Sequence, residues 1–329
     1  MNDLRMRRIL TIDGGGLKGT IPAAFLAALE EHIDRPLHEY FDLIVGTSTG
    51  GIIAAGLAMG MRAREILAIY EKDGPFIFPT TTWYSRALIW IKGWVRARYP
   101  TSVLRSTLTR HFGATRIGEA RTRLVIPSWE PEAQTVYVWK TRHCGRFHFD
   151  HRREVVEALV STVSAPTYFA SSRKSGGTGL IDGGVWANNP MCIAAVEALG
   201  VLKWRAETLR MLALGCVRED YIPPDGGGRF RWAPVAPELF LQAQSRSSLA
   251  STCLLLDDRG NPPERIFRIE ASAPKGHFGL DSASQIPVMK SLGEGLARRY
   301  IERLRPIFFG APVLQFVPLP DEADDASIS

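Results

Sequence analysis

Ser48 stands in Gly46-Thr47-Ser48-Thr49-Gly50, directly after the apolar run Phe41-Asp42-Leu43-Ile44-Val45 and directly before the small, apolar segment 51–58. Glycines two places either side of a serine let a strand and a helix approach closely across a sharp turn, which presents the hydroxyl at the carboxyl end of a sheet. Such a hydroxyl attacks a carbonyl only if a base takes its proton and donors hold the oxyanion that forms. A carboxylate-bearing turn, Asp182-Gly183-Gly184, follows Leu180-Ile181 and precedes Asn188-Asn189-Pro190. An aspartate within hydrogen-bond reach of the serine can act as general base despite a reference pKa near ~4. For the donors, Asp13-Gly14-Gly15-Gly16-Leu17-Lys18-Gly19 lies between a strand and a helix, where the amides of Gly14, Gly15 and Gly16 are unobstructed by side chains.

Other chemistries fit less well. The glycine segment also spells GxGxxG, but a dinucleotide site needs an acid ending the next strand, and that strand ends in the serine turn. A phosphate-binding loop needs Ser or Thr after the lysine, and Gly19 follows Lys18. None of the seven histidines (His32, His38, His111, His143, His148, His151, His277) sits in the setting of a catalytic base, and each reads as a surface or structural residue. The four cysteines (Cys144, Cys192, Cys216, Cys253) are far apart, without metal-ligand spacing or a disulfide framework, so no metal is expected and the compartment reads as reducing.

The elements that must carry these turns alternate. Residues 8–12 read as a buried strand, 17–33 as a helix with Ile21, Ala24, Phe25, Ala28 and Leu29 on one face, and 41–45 as a second strand before the serine turn. Residues 62–73 read as a helix ended by Gly74-Pro75, 123–129 and 135–140 as a strand pair, and 152–163 as a helix stopped before Pro166. Residues 188–199 read as a helix, 209–214 as a buried strand, 239–256 and 288–304 as helices and 265–269 as a strand. This order predicts an α/β fold: a three-layer α/β/α sandwich with a mainly parallel central sheet, its sites at the carboxyl ends of strands. The expectation is one catalytic domain over 1–329, with a core of 8–215, a helical completion over 216–320 and an acidic tail at 321–329.

Formal net charge is +6. No export signal opens the sequence, and no apolar run reaches spanning length, so the chain is expected to be cytoplasmic and at most peripheral to a membrane. Between Asp73 and Glu119 there is no acidic residue, and the stretch 83–99 interleaves Trp83, Trp90, Trp94 and Tyr99 with Arg86, Lys92, Arg96 and Arg98. Three readings compete there: a helix packed on the core with solvated cations, an interfacial helix with its aromatics among lipid headgroups, and an arginine-aromatic clamp for a cyclic oligonucleotide.

Four segments in register, DGGGLKG, GTSTGG, Ser164-Ala165-Pro166-Thr167-Tyr168-Phe169 and DGGVWANNP, resemble the patatin-like phospholipase family over roughly residues 8–215. That resemblance implies a three-layer fold and hydrolysis of phospholipid acyl esters by a dyad without histidine. Its nucleophile falls on Ser48, its base on Asp182, and its oxyanion amides on Gly15 and Gly16 with Gly14, supported by Gly46, Gly50, Gly183 and Gly184. Relatives carry an Ile-Gly-Thr-Gly-like turn after the late strand, where this chain has Leu214-Gly215-Cys216-Val217. Tyr70 to Pro79, a sheet starting near residue 1 and the absence of accessory domains are similar to compact bacterial effectors of cyclic-oligonucleotide antiphage signalling. The implied partners are a membrane phospholipid substrate and a cyclic di- or trinucleotide activator, with peripheral contact at the inner membrane, no required cofactor and no nucleic acid polymer; the chain is compatible with a homo-oligomer. A constitutively active esterase or thioesterase of the same fold, and a basic nucleic-acid-binding protein that leaves Ser48 and Asp182 unexplained, are the alternatives.

Overall fold

The computed structural model describes residues 5–79, 97–173, 178–220, 226–233, 235–258, 260, 264–274 and 276–320. An eight-stranded sheet forms its centre: β1 (Arg7–Ile12), β2 (Leu43–Gly46), β3 (Arg123–Glu130), β4 (Thr135–Lys140), β5 (Ser172–Arg173), β6 (Gly179–Asp182), β7 (Leu209–Asp220) and β8 (Ile266–Pro274). The order is β5-β6-β3-β2-β1-β7-β8, with β4 also paired to β3. Strands β3, β2, β1, β7 and β8 run parallel, whereas β4 and β6 pair antiparallel with β3.

Alternation along the central strands sorts side chains between two layers. Leu10, Ile12, Ile44, Leu212 and Leu214 join one buried cluster with residues of α1 (Thr20–Glu30), α2 (Thr49–Ala58), α3 (Ala63–Ala68), α6 (Val155–Val163) and α11 (Ile286–Phe308). Ile9, Leu43, Val45, Met211 and Ala213 join the other, with Met191, Ala194 and Ala195 of α8 (Met191–Val196) and partly buried Leu249 of α10 (Ala236–Leu255). Helices therefore cover both faces, as a parallel sheet buried on both sides requires. Among the described residues the remaining helices are α4 (Gly74–Ile77), α5 (Thr101–Phe112), α7 (Gly184–Ala187) and α9 (Arg229–Trp232). Among the described residues no helix is long and apolar enough to cross a membrane.

Several element boundaries depart from the sequence expectation. Residues 16–19 form a 3-10 turn, so α1 starts at Thr20, and it stops at Glu30. Gly74-Pro75 does not end the 62–73 helix: a π-helical turn, Ile69–Asp73, leads straight into α4. The wider turn brings Pro75 into the first turn of the next segment, where a missing N–H costs no helical bond. Helix α6 begins at Val155 rather than 152, and α8 at Met191 rather than 188, because Gly184–Ala187 forms its own short turn of helix. The strand expected over 265–269 is longer, Ile266–Pro274 as β8, and β7, expected over 209–214, runs on to Asp220. The acidic tail 321–329 lies outside the described residues.

Candidate active site

Ser48 caps the amino end of α2 with φ 54°, a left-handed conformation unusual for serine. Two glycines make that conformation affordable. A Cβ on Gly46 would lie 2.2 Å from the Gly50 carbonyl oxygen, and one on Gly50 would lie 2.5 Å from the carbonyl oxygens of Ile12 and Asp13. Thr162, on α6, accepts the Ser48 N–H at 3.0 Å through its hydroxyl oxygen and donates the same hydroxyl to the Pro127 carbonyl at 2.6 Å. Thr47 donates to the Ala187 carbonyl at 2.7 Å, tying the serine turn to the turn after β6.

Asp182 reaches the same level from the opposite direction. Val45 pairs with Val125, and Asp182 pairs with Ser128 three residues further along β3, so β3 aligns the end of β2 with the end of the antiparallel β6. The Ser164 carbonyl accepts the Asp182 N–H at 3.0 Å, which gives the Ser164–Phe169 motif a positioning task. Ser48 Oγ donates to Asp182 Oδ2 at 2.7 Å, while Asp182 Oδ1 accepts the Gly184 N–H at 2.6 Å. Both side chains are buried. Burial pushes the Asp182 carboxyl up to about 7, against the two hydrogen bonds that favour its charged form. A carboxylate with that value titrates where a general base is effective.

The glycine turn lies against the serine: a Cβ on Gly14 would sit 3.0 Å from Ser48 Cβ. Gly14 leaves the expected donor set, because its N–H is spent on the Asn188 carbonyl at 3.0 Å. The amides of Gly15 and Gly16 have no partner among the described residues. Gly16 adopts φ +58°, and a Cβ there would meet the Leu280 carbonyl oxygen at 2.3 Å; the same oxygen accepts the Leu17 N–H at 2.8 Å. Beneath the turn, the Cys216 thiol lies 3.8 Å from the carbonyl oxygens of Asp13 and Gly14, and burial pushes its pKa up to about 12. The thiol is thus a protonated donor, and the Leu214-Gly215-Cys216-Val217 variation supplies a floor for the turn.

Asp13, just ahead of the glycines, forms a two-pronged pair with Arg268 of β8, 2.8 Å at Oδ1, and Glu270 takes a further Arg268 N–H at 2.9 Å. Burial opposes the arginine's charge, but the two carboxylates outweigh it and raise its pKa. These atoms line a cavity of about 870 Å³ that holds Ser48 and Asp182 and is walled on one side by Phe78, Val163, Phe169 and Leu280. Its mixed lining suits a ligand with apolar chains and a polar head.

Sequence reasoning missed Thr162, Asn188, Arg268 and Leu280. Asn188 had a signal in the NNP segment, whereas Arg268 and Leu280 reach the site from more than 200 residues away and leave none. The Ser48 hydroxyl has Asp182, not a histidine, as its partner; His111 pairs with Asp73 at 2.7 Å and His143, its side chain buried, with Glu197 at 2.8 Å. Trp83, Arg86, Trp90, Lys92, Trp94 and Arg96 lie outside the described residues. Arg98 stacks over Tyr168 at 4.9 Å and approaches Asp281 at 4.0 Å, so it braces the cavity wall. Among the described residues no group of His, Cys, Asp and Glu side chains could hold a metal ion.

A strained serine on a strand-to-helix turn beside a buried carboxylate, within a sheet covered on both faces, belongs with hydrolases of esters. The family model described as Patatin-like phospholipase matches residues 10–195. A "cGAMP-activated phospholipase" of Pseudomonas aeruginosa is 31% identical over 276 residues, 80% of this chain and 82% of that protein. One of the same description from Escherichia coli is 34% identical over 239 residues, covering 68% of this chain and 66% of the relative. A third, from Vibrio cholerae, is 31% identical over 231 residues, 65% of each. The chain belongs to the patatin-like phospholipase family, and with it to the hydrolases of lipid esters.

Proposed function

We propose that this chain is a phospholipid acyl hydrolase in which Ser48 is the nucleophile and Asp182 the general base, and that a cyclic dinucleotide switches it on. The observation that carries the chemistry is the 2.7 Å bond from Ser48 Oγ to Asp182 Oδ2 in a cavity lined by the glycine turn. As Oγ attacks the ester carbonyl, its proton passes to Asp182 and the carbonyl oxygen becomes an oxyanion facing the Gly15 and Gly16 amides. Collapse releases the lysophospholipid, which takes the proton from Asp182 and leaves an acyl-serine. Water then gives a proton to Asp182 as it attacks; the fatty acid departs and Ser48 recovers its hydrogen. The imidazole of a Ser-His-Asp triad is replaced by a carboxylate whose pKa burial has raised.

Activation by cGAMP rests on the likeness to the three relatives of that description; antiphage defence and peripheral action at the inner membrane rest on the motif resemblance given above. Lipid-product mass spectrometry on vesicles, with and without a panel of cyclic di- and trinucleotides, tests both halves. The expected result is free fatty acid and lysophospholipid that rise steeply with one nucleotide. Ser48→Ala and Asp182→Asn should each lower turnover by at least about 1,000-fold without loss of fold. Retained turnover in Ser48→Ala refutes the chemistry, and full turnover without nucleotide refutes the switch.

A further inference from the structure

Helix α10 buries only Ser248 and Thr252 of its twenty residues, both in its second half. The stretch before them, residues 236–247 and more than half of the helix, buries nothing, although Leu239, Phe240 and Leu241 stand in succession there. Polar groups fasten this stretch to the site. Gln244 Oε1 accepts the Asn188 N–H at 2.6 Å, and Asn189 Nδ2 donates to the carbonyl oxygen and hydroxyl of Ser245 at 3.2 and 3.3 Å. Phe240 is left 69% exposed, and Val185, in the short helix after Asp182, 44%. Both border the cavity that holds Ser48, as does the exposed Arg246. Glu238, the acid on this stretch, takes a hydrogen bond from Gln242 at 3.2 Å.

Single exposed apolar residues are ordinary on a protein surface. Here two from different elements border one cavity, beside a cation, on a helix stretch fastened by polar bonds. The reading of phospholipid as substrate, on which this inference rests, adds a geometric demand: an ester inside a bilayer reaches Ser48 only if the cavity mouth abuts the bilayer.

We infer that the first part of α10, with its exposed Phe240, and Val185 on the border of the same cavity form the surface by which this chain docks on a phospholipid bilayer. Phe240 enters the headgroup boundary and Arg246 faces lipid phosphates.

Co-sedimentation with vesicles of phosphatidylethanolamine and phosphatidylglycerol measures docking without turnover, and hydrolysis of a water-soluble short-chain ester measures chemistry without docking. Both are run with and without cGAMP. Phe240→Glu should weaken vesicle binding by about tenfold or more, the loss expected when one buried aromatic is replaced by a charge. Phe240→Trp should bind at least as well as the unaltered protein, since tryptophan favours the membrane interface. Soluble-ester hydrolysis should fall by a much smaller factor than vesicle binding in Phe240→Glu. The inference fails if the unaltered protein does not sediment with vesicles in either condition, or if Phe240→Glu binds them unchanged. It also fails if Phe240→Glu loses soluble-ester turnover in parallel, which makes the residue part of the substrate site, or if the variant instead converts an oligomer to a monomer. A Ser48→Ala protein that still binds vesicles separates failure of the chemistry from failure of the docking surface.

Discussion

Asp182 carries a conflict between burial and charge. Its carboxylate has two hydrogen bonds, yet burial outweighs them and raises its pKa from 3.8 to about 7. A base must be ionised to accept the Ser48 proton, so kcat/KM is expected to rise as pH increases through about 7 and to level off above it, read from a pH-rate profile on a soluble ester. Stability moves the other way. The folded chain holds a proton that the unfolded chain releases between about 4 and 7, so this side chain's contribution is full below that window and is lost as pH rises through it. Asp182→Asn removes the buried charge. Its melting temperature should exceed that of the parent above pH ~7, by an amount on the order of a few kcal/mol in stability, and the gap should close below pH ~4. A site tuned for reaction at the expense of stability behaves in this manner.

Among elements, the β2-turn-α2 unit is the most tightly specified. Gly46→Ala places a methyl group 2.2 Å from the Gly50 carbonyl oxygen, inside a turn that has no room to yield. The expected cost is about 3 kcal/mol or more, with loss of activity, read by denaturant unfolding. Gly145→Ala meets nothing within 4 Å and should change stability by no more than about 0.5 kcal/mol, the control for a glycine that holds no packing contact. That unit was legible in the sequence because its signals are local: paired glycines around a serine, between an apolar strand and a small-residue helix. The alternation of strands and helices along the chain likewise disclosed the three layers. The spent amide of Gly14, the π turn before Pro75 and the uncovered stretch of α10 were not legible, since each depends on where a distant segment lies. Asn188, which takes the Gly14 amide, is 174 residues away, and Arg268, which holds Asp13, is 255 residues away.

Across the whole molecule, β1 is the keel. It lies between β2 and β7 in the interior of the sheet, and α11 packs along α1 so closely that a Cβ on Gly293 would strike the Ile21 carbonyl oxygen at 2.3 Å. The family match ends at residue 195, yet Arg268 and Leu280 supply the supports of the glycine turn, so the later third is built into the site. The two side chains proposed to react, however, hang from unequal scaffolds. Ser48 follows a strand flanked by β1 and β3 in the deep interior, whereas Asp182 ends a four-residue strand joined to β3 at two register positions and to β5 at two more. Amide deuterium exchange should accordingly be far slower over 43–46 than over 179–182. Separating the pair would then require displacing only the carboxylate's side: a pull at the sheet margin that draws β6 away from β3 would silence hydrolysis with Ser48 still in its seat.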